Sequence, residues 1–356
     1  MAIVVVALSG GVDSAVAAAL LKEQGHTVIA VHMLTGFLDS PEGGGGGKHA
    51  DRIARALNIP FHVWDLSGEF KSEVVDYFVC TYSQGRTPNP CVVCNPRIKF
   101  GIMMHRALDM GAERLATGHY ARISRDAETS RVLLLKGVDP TKDQSYFLHR
   151  LHQDQLARAV FPLGEKRKSE VRELAARLGL SELVSAESQE FCFMGENNYK
   201  DFVETTIAAS RGDLVDTAGN VLGRHQGVHR YTIGQRRGLN LPSTEPYYVV
   251  AIDPSRNRVV IGRRGDLLSR EMTVEGINWI VPPSSQPFRC STRIRFRHRE
   301  APSTVTVLNE SEALVVFDSE VRAITPGQAA VFYDGDIVLG GGWIRESRHI
   351  NPRENG

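Results

Sequence analysis

The chain has 356 residues, 42% hydrophobic and 23% charged, which is longer than one hydrophobic core of about 250–300 residues sustains, so two or three domains are expected. No stretch approaches the roughly 20 consecutive apolar residues that cross a bilayer, and "MAIVVVALSGG" carries no basic leader; a membrane protein and a signal peptide are both disfavoured, and a cytoplasmic location is expected. A formal net charge of +1 conceals local basic stripes: "RCSTRIRFRHR" (Arg289 to Arg299) holds five arginines and no acid, and "GRHQGVHRYTIGQRRG" (Gly223 to Gly238) is basic and punctuated by glycine, both compatible with local nucleic-acid contact.

In chain order, short β-branched runs alternate with helical patterns: "IVVVAL", a helix over Ser14 to Glu23, "TVIAVHM", a helix over Ala50 to Leu57, "FHVWDL", and a helix over Glu69 to Thr81. After the helix-like "IKFGIMMHRALDMG" comes a further strand, "RLATG". This βαβ rhythm predicts an α/β fold with a doubly wound parallel sheet. The tract Gly43 to Gly47 reads as a flexible loop unable to form helix or core, of the kind an engineered replacement also produces. Helices are expected over Lys166 to Leu178 and Tyr199 to Ser210, and from Gly212 onward short strands with turn signals predict small β sheets or barrels. The expected division is a catalytic domain over 1–205, a β-rich central domain over 206–270, a C-terminal β barrel over 271–350 and a tail over 351–356.

Directly after the first strand, "LSGGVDSAVAAAL" joins strand to helix through small hydrogen-bonding residues. A glycine-rich turn at a helix N-terminus collects unpaired backbone N–H groups and the positive end of the helix dipole, which is a phosphate site. Asp13-Ser14 stands where a Walker loop needs Lys followed by Ser or Thr, which disfavours cleavage of the terminal phosphate. Ser9, Gly10, Gly11 and Ser14 would hold the phosphates, and Asp13 would take Mg²⁺ or cap the helix.

"GRTPNPCVVCNPRIKFG" presents Cys91 and Cys94 as Cys-x-x-Cys in a turn-rich loop, and "SAESQEFCFMG" adds Cys192. Three cysteines satisfy three irons of a cubane cluster and leave a fourth iron open for sulfide. Alternatively, Cys192 holds a persulfide that Cys94 resolves by thiol exchange. Cys80 and Cys290 are assigned to structure. "ATGHYA" and "DPTKDQSYFL" place His119 and Lys142 to Ser145 in loops of the kind that face ligands in open α/β sheets, with Lys142 and Gln144 as phosphate and base contacts. His32 and Met33 close the second strand, where a backbone edge would read adenine. Arg293, Arg295 and Arg297 alternate with Ile294 and Phe296, so a strand would present all three on one face.

The loop "SGGVDS" resembles the pyrophosphatase-type loop of the adenine nucleotide alpha hydrolase fold, which implies cleavage of ATP between its α and β phosphates. Six blocks in order, "LSGGVDSAVAAALL", "GRTPNPCVVCNPRIKFG", "ATGHYA", "KDQSYFL", "SQEFCFM" and "HRYTIGQRRGL", are similar to those of the tRNA-specific 2-thiouridylase family across nearly the whole chain. That resemblance implies ATP-dependent replacement of the wobble uridine C2 oxygen by sulfur: transfer of AMP to the oxygen, attack by sulfur, and loss of AMP from a base flipped into the pocket. It implies an ATP and Mg²⁺ site on Ala7, Leu8, Ser9, Gly10, Gly11, Asp13, Ser14, Met33, Gly118, His119, Lys142, Asp143 and Gln144. Chemistry falls to Cys91, Cys94 and Cys192, and tRNA to Lys99, Arg230, Gln235, Arg236, Arg237, Arg295 and Arg297, with an upstream sulfur donor or relay protein as partner. Many family members carry Asp where this chain has Cys91, so a [4Fe-4S] cluster on Cys91, Cys94 and Cys192 is favoured here, with the Cys192 persulfide as the second route. The Gly43 to Gly47 tract is unlike the family's usual segment. Two rivals stand beside this reading: a pyrophosphatase-loop ligase or amidotransferase acting on a small molecule, and a non-enzymatic RNA-binding module stabilised by zinc.

Overall fold

The computed structural model describes residues 1–37, 45–184, 192–194, 199–207 and 210–348. It divides into two compact units, the first comprising Met1–Val75, Pro90–Glu196 and Asp336–Val338, the second Asp76–Asn89, Asn197–Gly335 and Leu339–Gly356.

In the first unit the β-branched runs become β1 (Ile3–Ala7), β2 (Thr27–Leu34) and β3 (Phe61–Asp65), joined later by β4 (Arg114–Ala116). An antiparallel hairpin of β5 (Ala121–Arg125) and β6 (Val132–Lys136) follows, with Ile337 paired to Leu135, and then the short β7 (Ala159–Val160). The sheet order is β3-β2-β1-β4-β7 and every pairing is parallel, Val5 lying between Ile29 and Leu115. Such a sheet is covered on both faces, which is why Val4, Val5 and Val6 are all fully buried. The chain leaves β1 toward β2 on one side and returns through β4 on the other, so the sheet's switch point falls between β1 and β4, where ligands bind open α/β sheets.

Helix α1 (Val12–Glu23) is buried along most of its length, and its run of alanines permits that close approach. Ala18 and Leu21 pack with Val4 and Val6 of the sheet. Ala15, Val16, Ala17 and Ala19 share a second cluster with Val171 and Ala175 of the helix Lys168–Arg177, and with Ala50, Ile53 and Ala54 of helix α2 (Gly45–Ala56). A helix apolar nearly all round belongs in a core, and burying about 0.8 kcal/mol per CH₂ fixes its N-terminus against the sheet.

Helix α2 corrects the reading of the glycine tract. Gly45, Gly46 and Gly47 form the first turn of the helix, while Gly43 and Gly44 lie outside the described residues. Glycine costs a helix only about 1 kcal/mol relative to alanine, and here the bare backbone is what fits. A Cβ on Gly47 would sit 3.5 Å from the His32 ring, and the Gly46 carbonyl lies 2.8 Å from where Gly10 would carry one.

The expected helix over Glu69 to Thr81 is observed in pieces, Ser67–Phe70, a wider π turn over Lys71–Val75, and Asp76–Ser83 in the second unit. The segment bearing Cys-x-x-Cys is likewise helical over Pro90–Cys94, π-helical over Asn95–Met103, and α-helical again over Met104–Asp109. Gln155 bridges two of its carbonyls, Pro96 and Phe100, at 2.9 Å each, which satisfies groups the wide turn leaves open.

The second unit holds a four-stranded sheet, β8 (Gly212–Val215), β9 (Val221–His225), β10 (Tyr248–Asp253) and β11 (Arg258–Gly262), in the order β10-β11-β8-β9. Its helix Tyr199–Glu204 stops short of the expected Ser210. A six-stranded barrel follows, from β12 (Leu268–Trp279), β13 (Phe288–Arg293), β14 (Ala301–Asn309), β15 (Glu312–Arg322), β16 (Ala329–Asp334) and β17 (Ile337–Arg348). The order β12-β15-β14-β13-β16-β17 closes through β12–β17 pairing, so the two outermost strands satisfy each other's backbone groups. Alternate residues such as Met272, Val274, Val315 and Phe317 fill its interior. Among the described residues no helix is long and apolar enough to cross a membrane.

Candidate active site

The turn between β1 and α1 is held by its own small residues. Leu8 N–H donates to Val31 O at 2.8 Å, anchoring the turn at the strand end. The Ser14 hydroxyl donates to Gly11 O at 2.9 Å and accepts from Ser9 N–H at 3.2 Å, and the Ser9 and Ser14 hydroxyls are 3.2 Å apart. Gly10 has φ +87°, a conformation that L side chains rarely adopt. These bonds fix the loop at the start of α1, where the positive end of a helix dipole favours an anion.

Asp13 is neither a free metal ligand nor a side-chain cap in this structure. Its Oδ1 accepts from Tyr120 Oη at 2.7 Å, and its two oxygens accept from Lys168 Nζ at 2.7 and 2.9 Å. Neither partner was legible in the sequence, where Lys168 is one of several lysines in a helical pattern and Tyr120 an aromatic in the loop after a strand. Gly118 packs so close that a Cβ there would lie 2.9 Å from Asp13 C and Ser14 N, so the loop after β4 touches the phosphate loop. Next to it, His119 is buried, with Nδ1 2.7 Å from Thr117 Oγ1; burial, reinforced by the charge of Lys99, holds its pKa well below the ordinary histidine value and keeps the ring neutral.

The thiols share the influence of Lys99 with His119. Burial pushes the Cys94 thiol up to about 12 and the Cys91 thiol up to about 11, with Lys99 pulling both down and Cys192 pushing both up. Interactions of that kind fade with distance, so Cys192 and Lys99 both stand beside the Cys-x-x-Cys pair. Cys192 itself is exposed, while Phe193 is buried against Phe37 and Phe70 at ring centroid distances of 6.2 and 5.8 Å, anchoring the segment. The flanking residues 185–191 and 195–198 lie outside the described ones. Lys99 acts on Cys91, Cys94 and His119 together, and His119 adjoins the glycine that abuts Asp13 and Ser14. The phosphate loop and the Cys-x-x-Cys segment thus belong to one unit, with Lys99 acting on both thiols of the pair and on His119, and Gly118 abutting Asp13 and Ser14.

The remaining predicted nucleotide residues split into two kinds. Ala7 ends β1, Met33 lies in β2 opposite Trp64, and His32 Nδ1 is 2.9 Å from Leu8 O, so this strand end backs the loop. Asp143 is buried, its Oδ1 accepting from Gly137 and Ser145 N–H at 3.1 Å each, and Gln144 Oε1 accepts from Tyr120 N–H at 3.0 Å. Those two hold the loop itself, whereas Lys142 is only half-buried.

Residues 2–196 match a family model described as tRNA methyl transferase HUP domain, 200–263 a tRNA methyl transferase PRC-barrel domain, and 269–344 an aminomethyltransferase beta-barrel domain. The chain is 47% identical over 354 residues to the tRNA-specific 2-thiouridylase MnmA of Geobacter metallireducens, covering 96% of each. The chain belongs to the tRNA-specific 2-thiouridylase family. It is therefore an enzyme, a sulfurtransferase acting on tRNA. The tRNA-specific 2-thiouridylase MnmA of Trichormus variabilis is also 47% identical, over 96% of this chain and 98% of its own. Among solved structures, the U34-tRNA thiolase NcsA from Methanococcus maripaludis with its [4Fe-4S] cluster is 20% identical at a TM-score of 0.36, over 57% of this chain and 64% of that one, a likeness too slight to carry an argument.

For a 2-thiouridylase of the Cys-x-x-Cys kind, the donor set of Cys91, Cys94 and Cys192 has the right chemistry for an iron–sulfur cluster, but its geometry does not fit one. Among the described residues no three His, Cys, Asp or Glu side chains are grouped as metal ligands.

The basic residues assigned to tRNA also divide. Arg236 and Arg237 are exposed, but Gln235 bonds within its own turn, to Thr232 N–H and Arg237 O. Arg230 forms a paired contact with Glu204, at 2.5 and 2.6 Å, and His229 adds a third bond at 2.8 Å; these bonds hold the Glu204 carboxyl down at about 2. The expected arginine strand ends at Arg293, and the chain bends through residues 294–299. Arg293 pairs with Glu300 at 2.7 Å over the Tyr333 ring, Arg295 donates to Ala323 O and Thr325 Oγ1, and Arg297 is exposed. The alternation of Arg with Ile and Phe belongs to a turn after β13, where Arg293 bonds a carboxylate and Arg295 a backbone carbonyl.

Proposed function

We propose that this enzyme thiolates C2 of the wobble uridine of tRNA in an ATP-dependent reaction with two chemical steps. The uridine O2 attacks the α phosphorus of ATP, the bond to the β phosphate breaks, and pyrophosphate leaves. The resulting adenylate turns a poor leaving group into a good one. The terminal sulfur of a persulfide on Cys192 then attacks C2 and AMP departs. Cys94 attacks the Cys192 sulfur, releases the 2-thiouridine and leaves a Cys94–Cys192 disulfide, which an external dithiol reduces before a sulfur-donor protein reloads Cys192.

Support comes from a lysine-free phosphate loop and three thiols within one unit, with Gly118 against the loop and Lys99 acting on the adjacent His119 and on the Cys-x-x-Cys pair. A loop that binds phosphates without a Walker lysine suits loss of pyrophosphate, and thiols beside it suit transfer of sulfur to the atom just activated. Methyl transfer, the reaction named in two of the matching family descriptions, needs neither. His119, bonded to Thr117 and held by burial well below the ordinary histidine pKa, adds no positive charge to the site. Mg²⁺ carried in with ATP would neutralise phosphate charge, with the Ser9 and Ser14 hydroxyls and backbone amides as its companions in the loop. The compartment that suits free thiols and tRNA is the cytoplasm.

The experiment is a single-turnover assay with tRNA, ATP and Cys192 preloaded with persulfide. One 2-thiouridine, one AMP and one pyrophosphate per active site are expected, with Cys192→Ser releasing pyrophosphate and leaving the AMP on the tRNA, with no 2-thiouridine. Release of orthophosphate from ATP, or full thiolation by Cys192→Ser, overturns the scheme.

A further inference from the structure

Past the second thiol of the Cys-x-x-Cys pair, the hydrogen-bond register of the helix widens from α over Pro90–Cys94 to π over Asn95–Met103. A π register joins each amide to the carbonyl five residues before it, so side chains five apart stand over one another as those four apart do in an α-helix. At 3.6 residues per turn the same separation would leave them roughly 140° apart around the axis. Cys94 enters the π segment with helical φ −58° and ψ −42°, and the residue five places on is Lys99. The widened turn thus puts an ammonium on the thiol's side of the helix.

Three contacts hold that register. Gln155 Nε2 spans Pro96 O and Phe100 O, Asn95 Nδ2 donates to Phe147 O at 3.0 Å, and Gly101 leaves room for a hydrogen only, since a Cβ there would lie 2.8 Å from Pro96 O, again five residues back. Lys99 is half-buried, and among the described residues it has no carboxylate partner. Its charge acts on Cys91, Cys94 and His119, and Cys192 acts on the same two thiols. An ammonium withdrawn from water without a counter-ion gains nothing for the fold. The reaction supplies the counter-ion: the nucleophile in sulfur transfer is an anion, and burial beside Cys91 and Cys94 disfavours an anionic sulfur unless a cation meets it.

We propose that Lys99 is a catalytic residue whose ammonium receives the terminal sulfur of the Cys192 persulfide as an anion and holds it for attack on C2 of the activated uridine. A sulfur lone pair forms the C–S bond, the bond from C2 to the adenylylated oxygen breaks, and its electron pair leaves with AMP. Lys99 stays protonated throughout, and no proton moves. This inference rests on the persulfide route above, and it gives a sulfur-binding role to a lysine that the family resemblance assigned to tRNA.

The test makes two measurements on the full-length wild type, Lys99→Met and Lys99→Arg. First, Cys94 is alkylated in parallel by iodoacetate and iodoacetamide at one pH; both reagents meet the same thiolate, so the ratio of their rates reads the neighbouring cation. A nearby ammonium predicts a ratio that falls at least about fivefold in Lys99→Met and is largely restored in Lys99→Arg. Second, in single turnover with persulfide-loaded Cys192, Lys99→Met should release pyrophosphate at the wild-type rate and form 2-thiouridine roughly 10- to 100-fold more slowly, with Lys99→Arg recovering part of the loss. An unchanged reagent ratio or an unchanged rate of 2-thiouridine formation overturns the proposal. So does an equal slowing of pyrophosphate release together with weaker tRNA binding, the result expected of a contact to tRNA phosphate. Should Lys99→Met fail to fold, Lys99→Gln is read by the same criteria. Wild type whose Cys192 persulfide transfers no sulfur overturns the persulfide route itself, and that result is visible without any variant.

Discussion

Cys94 sits 6% exposed with its thiol pushed up to about 12 by burial, and Lys99 pulls in the opposite direction. Since the raised value lies far above neutral pH, the thiolate fraction grows about tenfold for each pH unit up to that value. Alkylation of Cys94 by a small haloacetamide in nucleotide-free protein should therefore accelerate about tenfold per unit from pH 7 to pH 9, followed by mass spectrometry of the modified peptide. A plateau below pH 9 would show a thiol far more acidic than its surroundings allow. Lys99→Met removes the cationic influence of that side chain on the thiol and should slow the same reaction at every pH tested. Cys94→Ala should abolish 2-thiouridine formation while ATP binding, measured by titration, stays at the wild-type value. At this scale the Cys-x-x-Cys pair and the serines of the loop were plain in the sequence, because each motif is local. The influence of Lys99 was not: the family resemblance implied a tRNA contact, and its action on Cys91, Cys94 and His119 is a tertiary effect that no local pattern encodes. Lys168 reaches Asp13 across 155 residues of sequence, a separation that no local pattern encodes.

Helices and strands set how closely the two halves of the site approach. Gly118 brings the loop after β4 onto the first turn of α1, with room for a hydrogen and no more. Gly118→Ala forces a Cβ to within 2.9 Å of two backbone atoms, and overpacking of that kind costs about 1–3 kcal/mol. The variant should melt earlier by differential scanning calorimetry and bind ATP more weakly than wild type; wild-type values for both would mean that the contact is not maintained in solution. The parallel sheet was legible because β-branched runs of strand length alternate with helical patterns, and each run became a strand of the first unit. The start of α2 was not, since glycine propensity argues against helix and the compensation is tertiary, in the fit of Gly46 and Gly47 against Gly10 and His32. The arginine alternation after Arg293 misled for the same reason: a period of two describes a strand only where backbone pairing continues, and β13 ends there.

Over the whole molecule, the chain combines a nucleotide-type α/β unit with a unit of small β architectures, and its family membership covers both. Basic residues that remain exposed in the second unit, Arg236 and Arg237 among them, are the ones available to phosphates, because Arg230, Arg293 and Arg295 are already bonded within it. The double charge reversal Arg236→Glu and Arg237→Glu should weaken tRNA binding and reduce the slope of log affinity against log salt by about one for each phosphate that is no longer neutralised. Filter binding between low and moderate salt measures this, and parallel lines for the two proteins would assign tRNA to another surface. The central claim, that the uridine oxygen itself takes the adenylyl group, is tested most directly by isotope transfer. With ¹⁸O placed at O2 of the wobble uridine, the account predicts AMP carrying one ¹⁸O for each 2-thiouridine formed, and unlabelled AMP with the label in water would contradict it.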